Sequence, residues 1–94
     1  KRLAEEMPPG VQLLLADFSS RVQTLTPMER TVLQYHIEGH DTVETANLAF
    51  ISINTVKKHN TNIYKKLGIT TREELMLYID LFSRCGKIEE ISYI

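Results

Sequence analysis

The chain is predicted to be all-α: a small helical bundle preceded by an amphipathic N-terminal helix. Three observations support this. Apolar residues recur at three- and four-residue spacing in successive segments, which marks helix rather than strand. Capping residues and helix-starting prolines stand before those segments, and glycines stand behind most of them. Strand alternation is found nowhere, unless in the tail Lys87–Ile94, on which no structure is imposed. With 94 residues the chain makes one small domain, which buries roughly 60–65% of its unfolded surface.

Residues 1–10 read as a linker, first charged and then Pro8-Pro9-Gly10, where the prolines suit a helix start. Val11, Leu14, Leu15, Phe18, Val22 and Leu25 follow at i, i+3, i+4, i+7, i+11 and i+14. They form one apolar stripe on a helix over about 10–23. Thr26-Pro27-Met28-Glu29 combines a cap, a proline for the first helical position and the glutamate of a capping box. The second helix therefore runs to about Glu38, with Gly39 as its stop. Asp41-Thr42-Val43-Glu44 is a second capping box and opens a short helix through about Ala49. Phe50-Ile51-Ser52 interrupts it, and Ser52 caps a fourth helix that ends at Leu67, before Gly68. Either Thr70 or Thr71 can cap the fifth, which passes through Leu75, Tyr78, Ile79 and Phe82 to about Arg84, where Gly86 stops it.

Composition excludes several classes. At 43% hydrophobic and 24% charged the chain resembles an ordinary soluble domain, and no apolar run approaches the roughly 18 residues of a membrane span. No membrane contact is expected of it. The opening Lys-Arg and two glutamates do not make a signal peptide. The missing initiator Met suggests a fragment of something longer. Cys85 is the only cysteine, so no internal disulfide can form, which favours a reducing, cytoplasmic setting. No nucleophile–base–orienter set, phosphate-binding glycine loop or metal cluster is visible, so neither an enzyme nor a cofactor is expected. His36 and His40 are four apart, a metal-compatible spacing, but Gly39 ends the helix between them and no third ligand is evident. They are expected to be surface or half-buried histidines.

The segment Ile51–Ile69 is the most informative. Val56, Asn60, Ile63 and Leu67 form a buried or half-buried stripe, while Lys57, Lys58, Lys65 and Lys66 lie largely off it. The net charge is −1, yet Ser52–Arg72 holds those lysines and Arg72 and no acidic residue. A groove-binding domain needs a basic face, not a basic total. Such a helix fits the major groove of duplex DNA. A lysine pair on an arbitrary helix is usually just solvated. Here the capped start and the preceding short helix and turn point to a helix-turn-helix.

Residues 25–82 resemble the LuxR/NarL/FixJ-type DNA-binding domain of bacterial transcription regulators. The resemblance rests on Leu25-Thr26-Pro27-Met28-Glu29, Val32-Leu33, Gly39, Glu44-Thr45-Ala46, Ile51-Ser52, Thr55-Val56-Lys57, His59, Asn62-Ile63, Lys66-Leu67-Gly68 and Arg72, in order and without a gap. It implies a four-helix domain at 25–85, preceded by a linker and helix over 1–24 and followed by a tail at 86–94. It implies that helix 53–67 enters the major groove with Lys57, Lys58 and Thr61 at base-reading positions. Thr55, His59, Asn62 and Lys65 would lie near phosphates. It implies a homodimer through the last helix, and it allows for an upstream sensor or receiver domain, absent from this chain. Thr42-Val43 replace the family's usual Asn-Lys, which removes one backbone contact. Thr45 and Ala49 are smaller than the usual Ile and Leu, with Leu48 and Phe50 expected to fill the space, and His36 stands where an apolar residue is usual.

The last helix has more apolar residues than one stripe can use. Leu77 and Leu81 are left over and, with Arg84, form the expected dimer interface; packing on the N-terminal helix is the alternative. Glu29 either pairs with Arg72 or serves only its capping box. Cys85 is either an intermolecular disulfide partner or an inert filler. Two competing functions share the fold: a sigma-factor-like promoter-binding module, and a protein-interaction module that has lost DNA binding.

Overall fold

The computed structural model describes residues 8–93. The expected linker at 1–10 falls mostly outside them. Among the described residues there are five α-helices, one 3-10 turn and no strand.

The first helix, α1 (Pro9–Val22), starts on Pro9, whose missing N–H costs nothing in the first turn. It buries Leu15, Phe18 and Val22. Phe18 stacks on Tyr78 with centroids 4.1 Å apart and meets Phe82 at 5.7 Å. Leu14, expected in the same stripe, is 45% exposed. The stripe is narrower than its spacing suggests because only one side of α1 has a partner. The second helix, α2 (Pro27–Ile37), has its full capping box: Thr26 Oγ1 accepts from Glu29 N at 3.2 Å, and Glu29 Oε1 accepts from Thr26 N at 3.0 Å. The same reciprocal pair, Asp41 with Glu44, opens α3 (Thr42–Ala49). Phe50 ends α3 in the left-handed region at φ 58°.

After a three-residue turn comes α4 (Ile53–Leu67), which packs against α1, α2 and α3. It ends on Gly68 at φ 72°, where the absence of a Cβ permits the turn. The last helix, α5 (Arg72–Arg84), is capped by Thr71. The core is one cluster joining Phe18 and Val22 of α1, Val32 and Leu33 of α2, Ala46 of α3, Val56, Ile63 and Leu67 of α4, and Leu75 and Phe82 of α5.

The tail after α5 is ordered by packing. A 3-10 turn at Ile88–Glu90 delivers Ile91 into the core. Tyr93 N donates to Gln34 Oε1 at 2.9 Å, and the Arg30 guanidinium lies 4.7 Å from the Tyr93 ring centre while donating to Ser92 O. Cys85 is buried, which leaves little access for an intermolecular disulfide.

One expected repacking does not occur. Phe50 is 93% exposed and Leu48 is exposed too, so neither fills the space around Thr45. Both follow the outward edge of a helix whose inner side is only two residues wide, Thr45 and Ala46. Thr45 is fully buried, and its hydroxyl has no hydrogen-bond partner among the described residues.

Candidate nucleic-acid interface

Ser52 sets the start of α4. Its Oγ accepts from Thr55 N at 3.1 Å and lies 2.8 Å from Thr55 Oγ1. The first turn of α4 has no acidic residue, so the positive end of the helix dipole is not neutralised there. Val56, Ile63 and Leu67 point into the core. On the opposite side Asn54, Lys58, Thr61 and Lys65 form one exposed ridge at i, i+4, i+7 and i+11, with Lys57 and Thr55 exposed on its flanks. His59 and Asn62 are half-buried, and His59 Nδ1 is enclosed without a hydrogen-bond partner among the described residues. The expected contact residues thus share one helix, but only Lys58, Thr61 and Lys65 share its outermost line. The uncharged Asn54 was not among them, although its spacing from Lys58 marks the same line.

The inner flank of α4 is fixed by polar contacts that its period alone does not reveal. Lys66 Nζ lies 2.7 Å from Glu29 Oε1, and the Glu29 side chain is almost fully enclosed. Burial pushes the Glu29 carboxyl upward, but hydrogen bonds from Lys66 and Thr26, with the Lys66 charge, outweigh it and leave the value lowered. Glu29 therefore pairs with Lys66 and not with Arg72. Its local role in the capping box concealed the longer-range one.

Arg72 turns elsewhere. Its Nη1 lies 3.0 Å from His36 Nδ1, and its Nη2 donates to His40 O at 3.2 Å. A guanidinium only donates, so His36 Nδ1 accepts and the ring proton sits on Nε2, facing Asn60 Oδ1 at 2.8 Å. His36 is thus a buried junction between α2, α4 and α5, not a surface or half-buried histidine. Tyr64, on the same side of α4, has its hydroxyl pushed up by burial, which Arg72 opposes. The Thr70 hydroxyl and amide hold Glu74 low at the start of α5.

Among the described residues no group of three or more His, Cys, Asp or Glu could hold a metal. No helix among them is long and apolar enough to cross a membrane.

α3 and α4 thus form a helix pair joined by a tight turn, the second helix basic on its exposed side. Residues 23–79 match the family described as bacterial regulatory proteins, luxR family. The chain belongs to that family. The luxR-family helix-turn-helix makes it the DNA-binding output type of transcription-regulator domain. The fimbriae Z protein of Escherichia coli K12 is 39% identical over 64 residues, covering 68% of this chain and 30% of that protein. The oxygen regulatory protein NreC of Staphylococcus aureus MRSA252 is 33% identical over 63 residues, 67% of this chain and 29% of its own length. The transcriptional regulatory protein MctR of Rhizobium johnstonii is 41% identical over 54 residues, 57% of this chain and 25% of its own. The luxR-family chain thus spans less than a third of the length of these relatives. No solved structure matches it.

Of the residues singled out on α5, Leu77 is 64% exposed, whereas Leu81 is half-buried against the core. Leu81 instead lines a groove of about 230 Å³ with Leu14, Glu74, Leu77 and Tyr78. Arg84 is exposed and pairs with Asp80 at 2.8 Å.

Proposed function

We propose that α4 enters the major groove of duplex DNA and reads sequence there, with Lys57, Lys58 and Thr61 over base edges and Thr55, His59, Asn62 and Lys65 near phosphates. One observation supports this above all. Among the described residues no ion pair or side-chain hydrogen bond engages Lys57, Lys58 or Lys65, while Lys66 is held by Glu29. Two of these cations, Lys58 and Lys65, stand on the outward ridge and Lys57 on its flank, and no polar contact among the described residues ties any of the three side chains to the fold. Thr61 Oγ1 already donates to Lys57 O at 3.1 Å, which leaves its methyl group available to a thymine methyl.

The test is a titration of the chain into a pool of random duplexes at several salt concentrations. Each neutralised phosphate adds about −0.9 to the slope of log affinity against log salt. A slope of several units, largely lost in Lys57→Ala/Lys58→Ala, is expected. Absence of binding at low salt would move the assignment to a protein-interaction module.

The domain acts in the cytoplasm as a homodimer through α5, the exposed Leu77 supporting the second half of that statement. Two copies would place two recognition helices about one DNA turn, roughly 34 Å, apart. Sedimentation of the wild type and Leu77→Glu tests it, because an unchanged monomer–dimer balance would reject this surface. The relatives' greater length agrees with a sensing or receiver part elsewhere in the protein.

A further inference from the structure

We infer that Asn54 reads an adenine in the DNA groove; the inference rests on the duplex reading of α4 and assigns one of its specificity residues. The outward ridge Asn54, Lys58, Thr61 and Lys65 rises over roughly 16 Å of helix. Asn54 is its N-terminal member, in the first turn of α4. The first turn is the part of such a helix that comes nearest to base edges.

Nothing in the fold accounts for asparagine there. Ser52 already caps the helix, Asn54 is exposed, and among the described residues no hydrogen bond engages its carboxamide. The contrast with Asn60 is direct: that carboxamide is turned inward and bonded to His36. Asn54 carries no charge and adds nothing to the attraction of phosphates.

Its chemistry suits one base. A carboxamide offers an acceptor and a donor side by side, matching the N6–H and N7 edge of adenine. Guanine presents two acceptors on the same edge, which a lysine such as Lys58 satisfies better. Asn54 and Lys58 are four residues apart, a rise of about 6 Å, slightly less than two base-pair steps of roughly 3.4 Å. The adenine therefore stands one or two base pairs from the base that Lys58 reads.

The experiment selects bound duplexes from a random pool with the wild-type chain and with Asn54→Ala. The expected wild-type consensus contains an adenine that the Asn54→Ala consensus lacks, with the other positions kept. On the wild-type consensus, 7-deazaadenine at that position should weaken the wild type about tenfold and leave Asn54→Ala within about twofold. The salt slopes of the two proteins should coincide. Identical consensus sequences, or equal weakening of both proteins by the deaza base, would overturn the role of Asn54 while leaving duplex binding intact. Failure of the wild type to retain any duplex at low salt would remove the duplex reading and this assignment with it.

Discussion

Lys65 and Lys66 are neighbours of identical chemistry on one helix, yet they belong to different halves of the molecule. Lys66 reaches inward to a buried carboxylate and joins the end of α4 to the start of α2. Lys65 stands on the exposed ridge and engages no partner among the described residues. The same split runs along the whole helix: the Asn60 carboxamide is bonded to His36, whereas the Asn54 carboxamide has no hydrogen-bond partner among the described residues. Residue type therefore does not separate fold from function here. What separates them is the 100° turn between consecutive helical positions, and substitutions on the two sides should report on different measurements.

The largest effect is expected at the inner junction. His36→Ala empties a buried site and strips Asn60 and Arg72 of a shared partner. Loss of about 3 kcal/mol of stability is expected, combining a cavity with unmade hydrogen bonds. Denaturant unfolding measures it, and a change below about 0.5 kcal/mol, the range of surface substitutions, would mean the junction does not hold α4 in place.

Lys66→Met should cost about 2 kcal/mol, the scale of a hydrogen bond to a charged group, without altering the salt slope of DNA binding. The pair also predicts a pH response. Glu29 titrates lower in the folded chain than unfolded, so the stability it supplies is complete above the ordinary glutamate range. That stability is lost as pH falls through the lowered value. Lys66→Met should make this acid-side loss shallower, and an identical pH profile in wild type and variant would contradict the coupling.

Much of this division was legible in the residues, and the exceptions share a cause. Caps at Thr26, Asp41, Ser52 and Thr71 are readable because each partner lies three residues away. The outward ridge of α4 is readable because it follows from helical period. Leu14 lies outside the core because period marks a face as apolar without saying which neighbour covers it, and Leu48 and Phe50 stay exposed because a smaller residue at a neighbouring position does not turn them inward. His36 depends on three helices meeting and the Glu29–Lys66 pair on two, and no local spacing encodes either. Asn54 lies outside the set of contact positions that the family resemblance implies, although it shares the helical line of Lys58, Thr61 and Lys65.

The inner side also contains a flaw, and correcting it gives a smaller effect of opposite sign. Thr45 buries a hydroxyl with no partner among the described residues. Thr45→Val keeps the shape and removes the unpaired oxygen, for a gain of about 1 kcal/mol. In a domain of this size that raises Tm by about 4–8 °C. An unchanged or lowered Tm would mean that the hydroxyl finds a partner in solution. Binding to DNA should stay as it was, since Thr45 faces away from the ridge.

The smallest effect on stability, and the sharpest test of the comparison, belongs to Lys65→Ala. An exposed lysine without a partner should change stability by no more than about 0.5 kcal/mol. Its removal should nevertheless lower the magnitude of the salt slope by about 0.9, one phosphate contact, and weaken all duplex sequences alike. Lys66→Met gives the reverse pattern, a stability loss with the slope intact. Two adjacent lysines with swapped readouts would show that α4 separates its two tasks by direction alone. A slope that falls equally in both variants would mean that the Glu29 pair opens when DNA binds, and that Lys66 contributes to the interface after all.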